Sequence, residues 1–328
     1  MYLNTKKTLE EIYNTLAKEF ASFEKEYFLQ FQSDNIFLQP IFDYVGQEKG
    51  KRLRPILFFL SQGLIHRPNR RYVKIAVLIE LLHTATLIHD DVVDGSLERR
   101  GKRSLNAVWG DRVSVLLGDY LLARVLSLAV EVERIGVLEI ISRVVMEMGR
   151  GELRQTVEGM MQRVSVDDYF NIIREKTACL FGAACELGGI VMSASASEKN
   201  RLRQLGETFG MAFQIRDDIL DFSGHTEFMG KPVGQDVTNG KMTLPLILAL
   251  EGVSEEEKQG ILQRLDSATE EDGEWIRKFV KRRKGIENAQ EKAQVFLKRA
   301  IELLDTFKPS IYREMLERLV MHDTERVE

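Results

Sequence analysis

Three carboxylates crowd one short stretch, His89-Asp90-Asp91-Val92-Val93-Asp94, at the end of an otherwise apolar run. Asp90 and Asp94 stand four apart, so on a helix they share a face, with Cβ atoms about 5–6 Å apart. The arrangement is costly, because like charges repel and the negative end of the helix dipole opposes them. No lysine or arginine between Leu78 and His89 offsets them. The pattern returns at Asp217-Asp218-Ile219-Leu220-Asp221, again closing an apolar run. A solvated helix end explains one such cluster; two with identical spacing point to a shared ligand. A divalent cation resolves the conflict. Carboxylate-only ligation suits Mg²⁺, which completes its octahedron with phosphate oxygens and water.

Basic residues lie near both clusters. Gly50-Lys51-Arg52-Leu53-Arg54-Pro55 precedes an apolar run, and Arg99-Arg100-Gly101-Lys102-Arg103 follows the first acidic cluster. Lys176-Thr177, Lys231 and Lys241 surround the second. Each run alone reads as a solvated surface. Together with the carboxylates they describe a polyanion held partly through metal and partly by charge-assisted bonds, and a diphosphate fits. The nucleotide devices are missing: there is no G-x-G-x-x-G, and Gly224 to Lys231 has the wrong spacing for a P-loop.

The elements that must position these residues are helices. Only six prolines interrupt 328 residues. Apolar residues recur at three- and four-residue spacing through Leu78, Leu81, Leu82 and Ala85, through Met211, Ile215, Ile219 and Phe222, and through Ile301, Leu304, Phe307 and Ile311. No strand signal is evident, so the expectation is all-α, a single domain over 1–328 of roughly ten or more mostly antiparallel helices. Val166-Asp167-Asp168-Tyr169 reads as a helix start with Asp167 as its cap. The segment beyond Leu250 carries no chemical motif and is expected to pack only.

With 46 basic and 50 acidic residues and a net charge of −4, the chain lacks the basic excess that general nucleic-acid binding needs. Arg112, Asp119 and Arg124 break the longest apolar stretch, so no transmembrane segment is expected. Met1 to Glu11 has no apolar signal core, and Cys179 and Cys185 lie too close along one helix to pair, which together imply a reduced, cytoplasmic setting.

As a set, Gly50-Lys51-x-x-Arg54-Pro55, the Asp90–Asp94 cluster with Arg99-Arg100-Gly101, Lys176-Thr177, Phe213-Gln214-x-x-Asp217-Asp218-x-x-Asp221 and Gly230-Lys231 to Gly240-Lys241 resemble the trans-isoprenyl diphosphate synthases of the polyprenyl synthetase family. Arg103 stands where many members carry proline. The resemblance implies the isoprenoid synthase fold, a helical bundle around a deep apolar cavity with both acidic clusters at its mouth. It implies about three Mg²⁺ ions, with Asp90, Asp94 and Asp217 as direct ligands and Asp91, Asp218 and Asp221 binding directly or through water. Arg99, Lys176 and Lys231 would hold an allylic diphosphate (farnesyl or geranyl), with Lys241 a further substrate-binding lysine. Lys51, Arg54, His83 and Arg100 would hold isopentenyl diphosphate. Thr177 and Gln214 would lie beside the allylic carbon. The implied reaction is repeated Mg²⁺-dependent head-to-tail condensation, by a homodimer in transient membrane contact for product release.

Thr86 and Ala85, four and five positions before Asp90, are small where short-product relatives carry bulky aromatics. They predict a long-chain product, past about twenty carbons and in the C30–C50 range; a geranylgeranyl or farnesyl diphosphate synthase is the alternative. Leu82, Met146 and Phe181 are candidates for the channel's far end. A reading from another class takes His89-Asp90, with His66 or His83, as the dyad of an HD-type metal phosphohydrolase. It leaves the whole second acidic cluster without a purpose.

Overall fold

The computed structural model describes residues 2–47, 50–99, 101–160, 164–223, 237, 239–267 and 269–325. Lys231 and Arg100 lie outside the described residues. Helices α1 (Tyr2–Thr15) and α2 (Ala17–Leu29) follow one another almost without a break, joined at Leu16, and are succeeded by α3 (Gln39–Gly46), α4 (Leu53–Ile65) and α5 (Val73–Val93). A two-residue ladder, β1 (Glu98–Arg99) against β2 (Lys102–Arg103), pairs antiparallel, with Gly101 supplying the positive φ of 72° its turn requires. Then come α6 (Leu105–Trp109), α7 (Asp111–Glu131), α8 (Ile135–Met160) and α9 (Val166–Ile173). A π-helical turn, Arg174–Ala178, joins α9 to α10 (Cys179–Val191), and α11 (Ala196–Ser223) follows. The chain closes with α12 (Leu244–Ala249), α13 (Glu255–Ser267), α14 (Glu270–Arg282), α15 (Gly285–Leu304) and α16 (Ile311–Glu325).

The all-α expectation holds; the β-ladder is the one addition among the described residues. Helix α5 is apolar on nearly every side and sits in the core, with Ile75 to Leu82 and Ala85 buried. It packs on α7, while α10 packs on α4 and α11, and α11 on α15. By length and composition Arg70–Val93 and Asp111–Glu131 are apolar enough to cross a membrane. The first of these is the central core helix and the second flanks it. Behind the second acidic cluster, Tyr169, Ile173, Met211, Ile215 and Ile219 form a separate apolar cluster with Leu244 and Ile247.

Two local expectations change. Ser165, not Asp167, caps α9: its hydroxyl accepts from the Asp168 amide, and Asp168 accepts in return from the Ser165 amide. The stripe from Ile301 to Ile311 is broken, because α15 ends at Leu304 and Pro309 precludes its continuation. Phe307 still packs into the core from the turn, and the Arg313 guanidinium donates to its carbonyl at 2.9 Å.

Candidate active site

The charges missing from α5 itself arrive from elsewhere in the chain. The Arg99 guanidinium, carried on β1, donates from Nε and Nη2 to both oxygens of the buried Asp91 carboxylate at 2.6–2.9 Å. This two-pronged geometry is the strongest form of the Arg–carboxylate bond. Lys241 Nζ donates to Asp94 Oδ2 at 2.6 Å. Asp90 is half-buried, and its carboxyl is held above the usual aspartate range, chiefly by burial. The negative charges of Glu152 and Asp94 push the same way, against the opposing pull of Lys176 and Arg99.

Lys176 comes from the π-turn, and its ammonium pairs with the Glu152 carboxylate of α8. The turn inserts one residue into the helical register, a device common at functional sites. It lies so close to α8 that a Cβ on Gly151 would meet the Lys176 amide nitrogen at 2.6 Å. Glu175, buried in the same turn, is faced by Arg150 at 2.9 Å and Arg154 at 3.6 Å. Charges thus alternate along both surfaces and fix which way Lys176 and Thr177 point.

From Thr177 a chain of hydrogen bonds runs to the second acidic cluster. Thr177 Oγ1 donates to Gln214 Oε1 at 2.9 Å, and Gln214 Nε2 donates to Asp218 Oδ1 at 2.9 Å. The Tyr169 hydroxyl donates to Asp218 Oδ2 at 2.7 Å. Asp218 and Asp221 are buried, whereas the Asp217 side chain is 43% exposed and 3.7 Å from Arg216 Nη2. Lys176 and Thr177 therefore stand between the two acidic helix ends, one serving Asp90 and the other reaching Asp218 through Gln214.

The loop ahead of α4 forms the other flank. Arg54 places its guanidinium 4.4 Å from the centre of the Phe181 ring. Arg52 is buried, bonded to Glu80 at 2.9 Å, and stacked on Tyr27 at 4.3 Å. A cavity of about 30 Å³ is lined by Arg52 and His83 on this side and by Asp91 and Arg99 on the other, so the two flanks adjoin.

All six aspartates offer hard oxygen donors, with no histidine or thiolate among them, so the donor set fits Mg²⁺ or a similar cation. Among the described residues no three His, Cys, Asp or Glu side chains stand already gathered as a metal cage. Arg99 and Lys241 bond Asp91 and Asp94, whereas Asp217 keeps 43% of its side chain exposed. His89 turns away from the cluster, with Nε2 3.2 Å from the Val115 carbonyl and 3.5 Å from Asp119 on α7. That removes the ligand which the phosphohydrolase reading needs.

Ala85 is fully buried, and the half-buried Thr86 donates to the His83 carbonyl at 2.9 Å. Leu82 and Phe181 are also core residues, but Met146 is 71% exposed on α8 and is not enclosed by the chain itself. Tyr169, Arg216, Arg52 and Glu80 were not picked out from the sequence. Glu80 did carry a signal, since it is a lone charge between Ile75 and Leu82 in an apolar helix.

Residues 35–282 match the family model for polyprenyl synthetase. An all-trans-nonaprenyl-diphosphate synthase (geranyl-diphosphate specific) of Rhodobacter capsulatus is 32% identical over 97% of this chain and 98% of that protein. An octaprenyl diphosphate synthase of Escherichia coli is 36% identical over 77% of this chain and 78% of its own. Among solved structures, a polyprenyl synthase from Caulobacter crescentus, complexed with calcium and isoprenyl diphosphate, superposes with a TM-score of 0.91 at 33% identity, covering 98% of each chain. With the matched span enclosing both acidic helix ends, the π-turn and the basic loop, this chain belongs to the polyprenyl synthetase family.

Proposed function

We infer that the chain is a trans-polyprenyl diphosphate synthase that joins isopentenyl diphosphate to an allylic diphosphate, head to tail, and repeats the step to a long-chain product. One observation carries the reading. Two acidic helix ends, remote in sequence, are both reached from the π-turn, with Lys176 beside Asp90 and Thr177 through Gln214 to Asp218, while Lys241 bonds Asp94.

Mg²⁺ held by Asp90, Asp94 and Asp217, with Asp91, Asp218 and Asp221 in support, would neutralise charge growing on the leaving diphosphate. Lys176, Arg99 and Lys241 hold that diphosphate by exchanging a carboxylate partner for a phosphate oxygen, with Lys231 as a further cation for it. Lys51, Arg54, His83 and Arg100 hold the isopentenyl diphosphate. The allylic C1–O bond breaks, and its electron pair leaves with the diphosphate. The isopentenyl double bond attacks C1 through C4, and a proton departs from C2 to the released diphosphate. The Thr177 hydroxyl and the Gln214 amide, already bonded to each other, present oxygen lone pairs towards the allylic carbon. Apolar helix walls keep water from the cation.

Small side chains at Ala85 and Thr86 support a C30–C50 product rather than a farnesyl or geranylgeranyl one. Residues 1–328 would act as one catalytic domain, as a homodimer formed through the apolar side chains exposed on α7 (Leu116, Tyr120, Leu126, Val130) and α8 (Met146, Leu153). Two buried thiols agree with a cytoplasmic setting, with membrane contact for product release. The test is to incubate purified chain with Mg²⁺, isopentenyl diphosphate and farnesyl or geranyl diphosphate, then size the extracted lipid. Lipids longer than C20 are expected; free phosphate without chain growth would refute the reading.

A further inference from the structure

Arg52 lies between Lys51 and Arg54, and Glu80 lies one helical turn before His83, yet both are buried. Arg52 Nη1 donates to Glu80 Oε1 at 2.9 Å. The guanidinium also stacks on Tyr27, whose hydroxyl is 3.0 Å from Thr84 Oγ1. Thr84 donates in turn to the Glu80 carbonyl at 2.9 Å, closing a ring around the ion pair. Arg52 has a φ of 46°, a left-handed value that a long side chain adopts only when its surroundings impose it. The Tyr13 hydroxyl pins the neighbouring Lys51 carbonyl at 2.9 Å. Glu80 Oε2 is buried with no hydrogen-bond partner among the described residues, and Glu80 lines the 30 Å³ cavity it shares with His83. That volume suits one water.

Resting on the function inferred above, we propose that Arg52 and Glu80 are the positioning pair of the isopentenyl diphosphate subsite. They touch no substrate. Their bond sets the distance between the loop bearing Lys51 and Arg54 and the helix bearing His83, and one water joins Glu80 to His83. Tyr13 and Tyr27 precede the family-matched span of 35–282, so the helices α1 and α2 become part of the subsite's wall.

A purely structural ion pair can be exchanged for apolar side chains without loss of stability, whereas a positioning pair cannot be exchanged without loss of geometry. The experiment compares wild type, Arg52→Lys and the double variant Arg52→Met/Glu80→Leu. Lysine keeps the charge but loses the fork and the stacking. Both variants should raise KM for isopentenyl diphosphate about tenfold, since roughly 1 Å of misplacement is costly. KM for the allylic diphosphate should stay within about twofold, and the double variant should unfold no earlier than wild type. A double variant with wild-type KM for isopentenyl diphosphate, or variants in which both KM values rise together, would overturn the proposal. Calorimetric titration of isopentenyl diphosphate reads the same subsite without turnover. If wild type fails to condense, the reading of function falls, while the ratio of Kd values between wild type and Arg52→Lys still decides the pair.

Discussion

Lys241 Nζ lies 2.6 Å from Asp94 Oδ2, a bond between residues 147 positions apart. It closes the ring of elements from α5 round to the start of α12. It also neutralises a carboxylate at the helix end where the dipole is least welcoming. Lys241→Gln should weaken binding of inorganic diphosphate with Mg²⁺ by about tenfold, since a charge-assisted bond contributes about 1.5–3 kcal/mol and the neutral amide keeps part of it. Calorimetry checks this; an unchanged affinity would confine Lys241 to steadying Asp94.

Asp90 opens one acidic cluster beside Lys176, and Asp217 opens the other with its side chain 43% exposed. Changing either to Ala should lower kcat by about 10²–10³-fold, the scale of losing one preorganised electrostatic contact to a developing anion. Incorporation of labelled isopentenyl diphosphate measures it. Near-normal turnover in both variants would remove the shared-cation site.

The inner wall of α5 bears on product length. Ala85→Phe should shorten the product, and because a fully buried alanine resists enlargement at about 1–3 kcal/mol, Thr86→Phe at the half-buried neighbour is the companion variant. Shorter lipid from either, with the first condensation retained, places the tail against α5. Identical product lengths from two folded variants would move the channel elsewhere.

The acidic clusters were legible in the sequence because their cost was legible: carboxylates at the end of a greasy helix with no cation in the preceding turns. What settles that cost was not. Arg99 follows Asp91 closely, but Lys241 reaches Asp94 only through the tertiary fold, and no local rule pairs them. Tyr169 was hidden for the same reason: its hydroxyl meets Asp218 across α9 and α11, while in sequence it reads as one more apolar residue of a helix start. The π-turn left no trace either, because its extra residue suits the alternating charges of Arg150, Glu152 and Arg154 on a different helix. Local errors came from competing rules. Ser165 outbid Asp167 as cap because Asp168 could complete the reciprocal box, and Pro309 overrode an apolar period that continued past Leu304.

Buried thiols give a prediction independent of the active site. Burial pushes the Cys185 thiol up to about 12, and the Cys179 thiol is raised by burial and by the nearby charges of Glu147 and Glu207. Cys179 also donates to the Glu175 carbonyl at 2.8 Å, inside the π-turn. Thiolate is the reactive form, so a disulfide reagent at neutral pH should leave the folded chain unlabelled and modify both cysteines once denaturant is added. The sign of the linkage follows. The folded thiol stays neutral where the unfolded one ionises, so its contribution is complete below the unfolded pKa, about 8.5, and is lost as pH rises towards 12. Urea midpoints for wild type should therefore fall between pH 9 and 11, and Cys185→Ala should show a shallower fall over the same range. Equal slopes for the two chains would mean that Cys185 ionises as readily folded as unfolded.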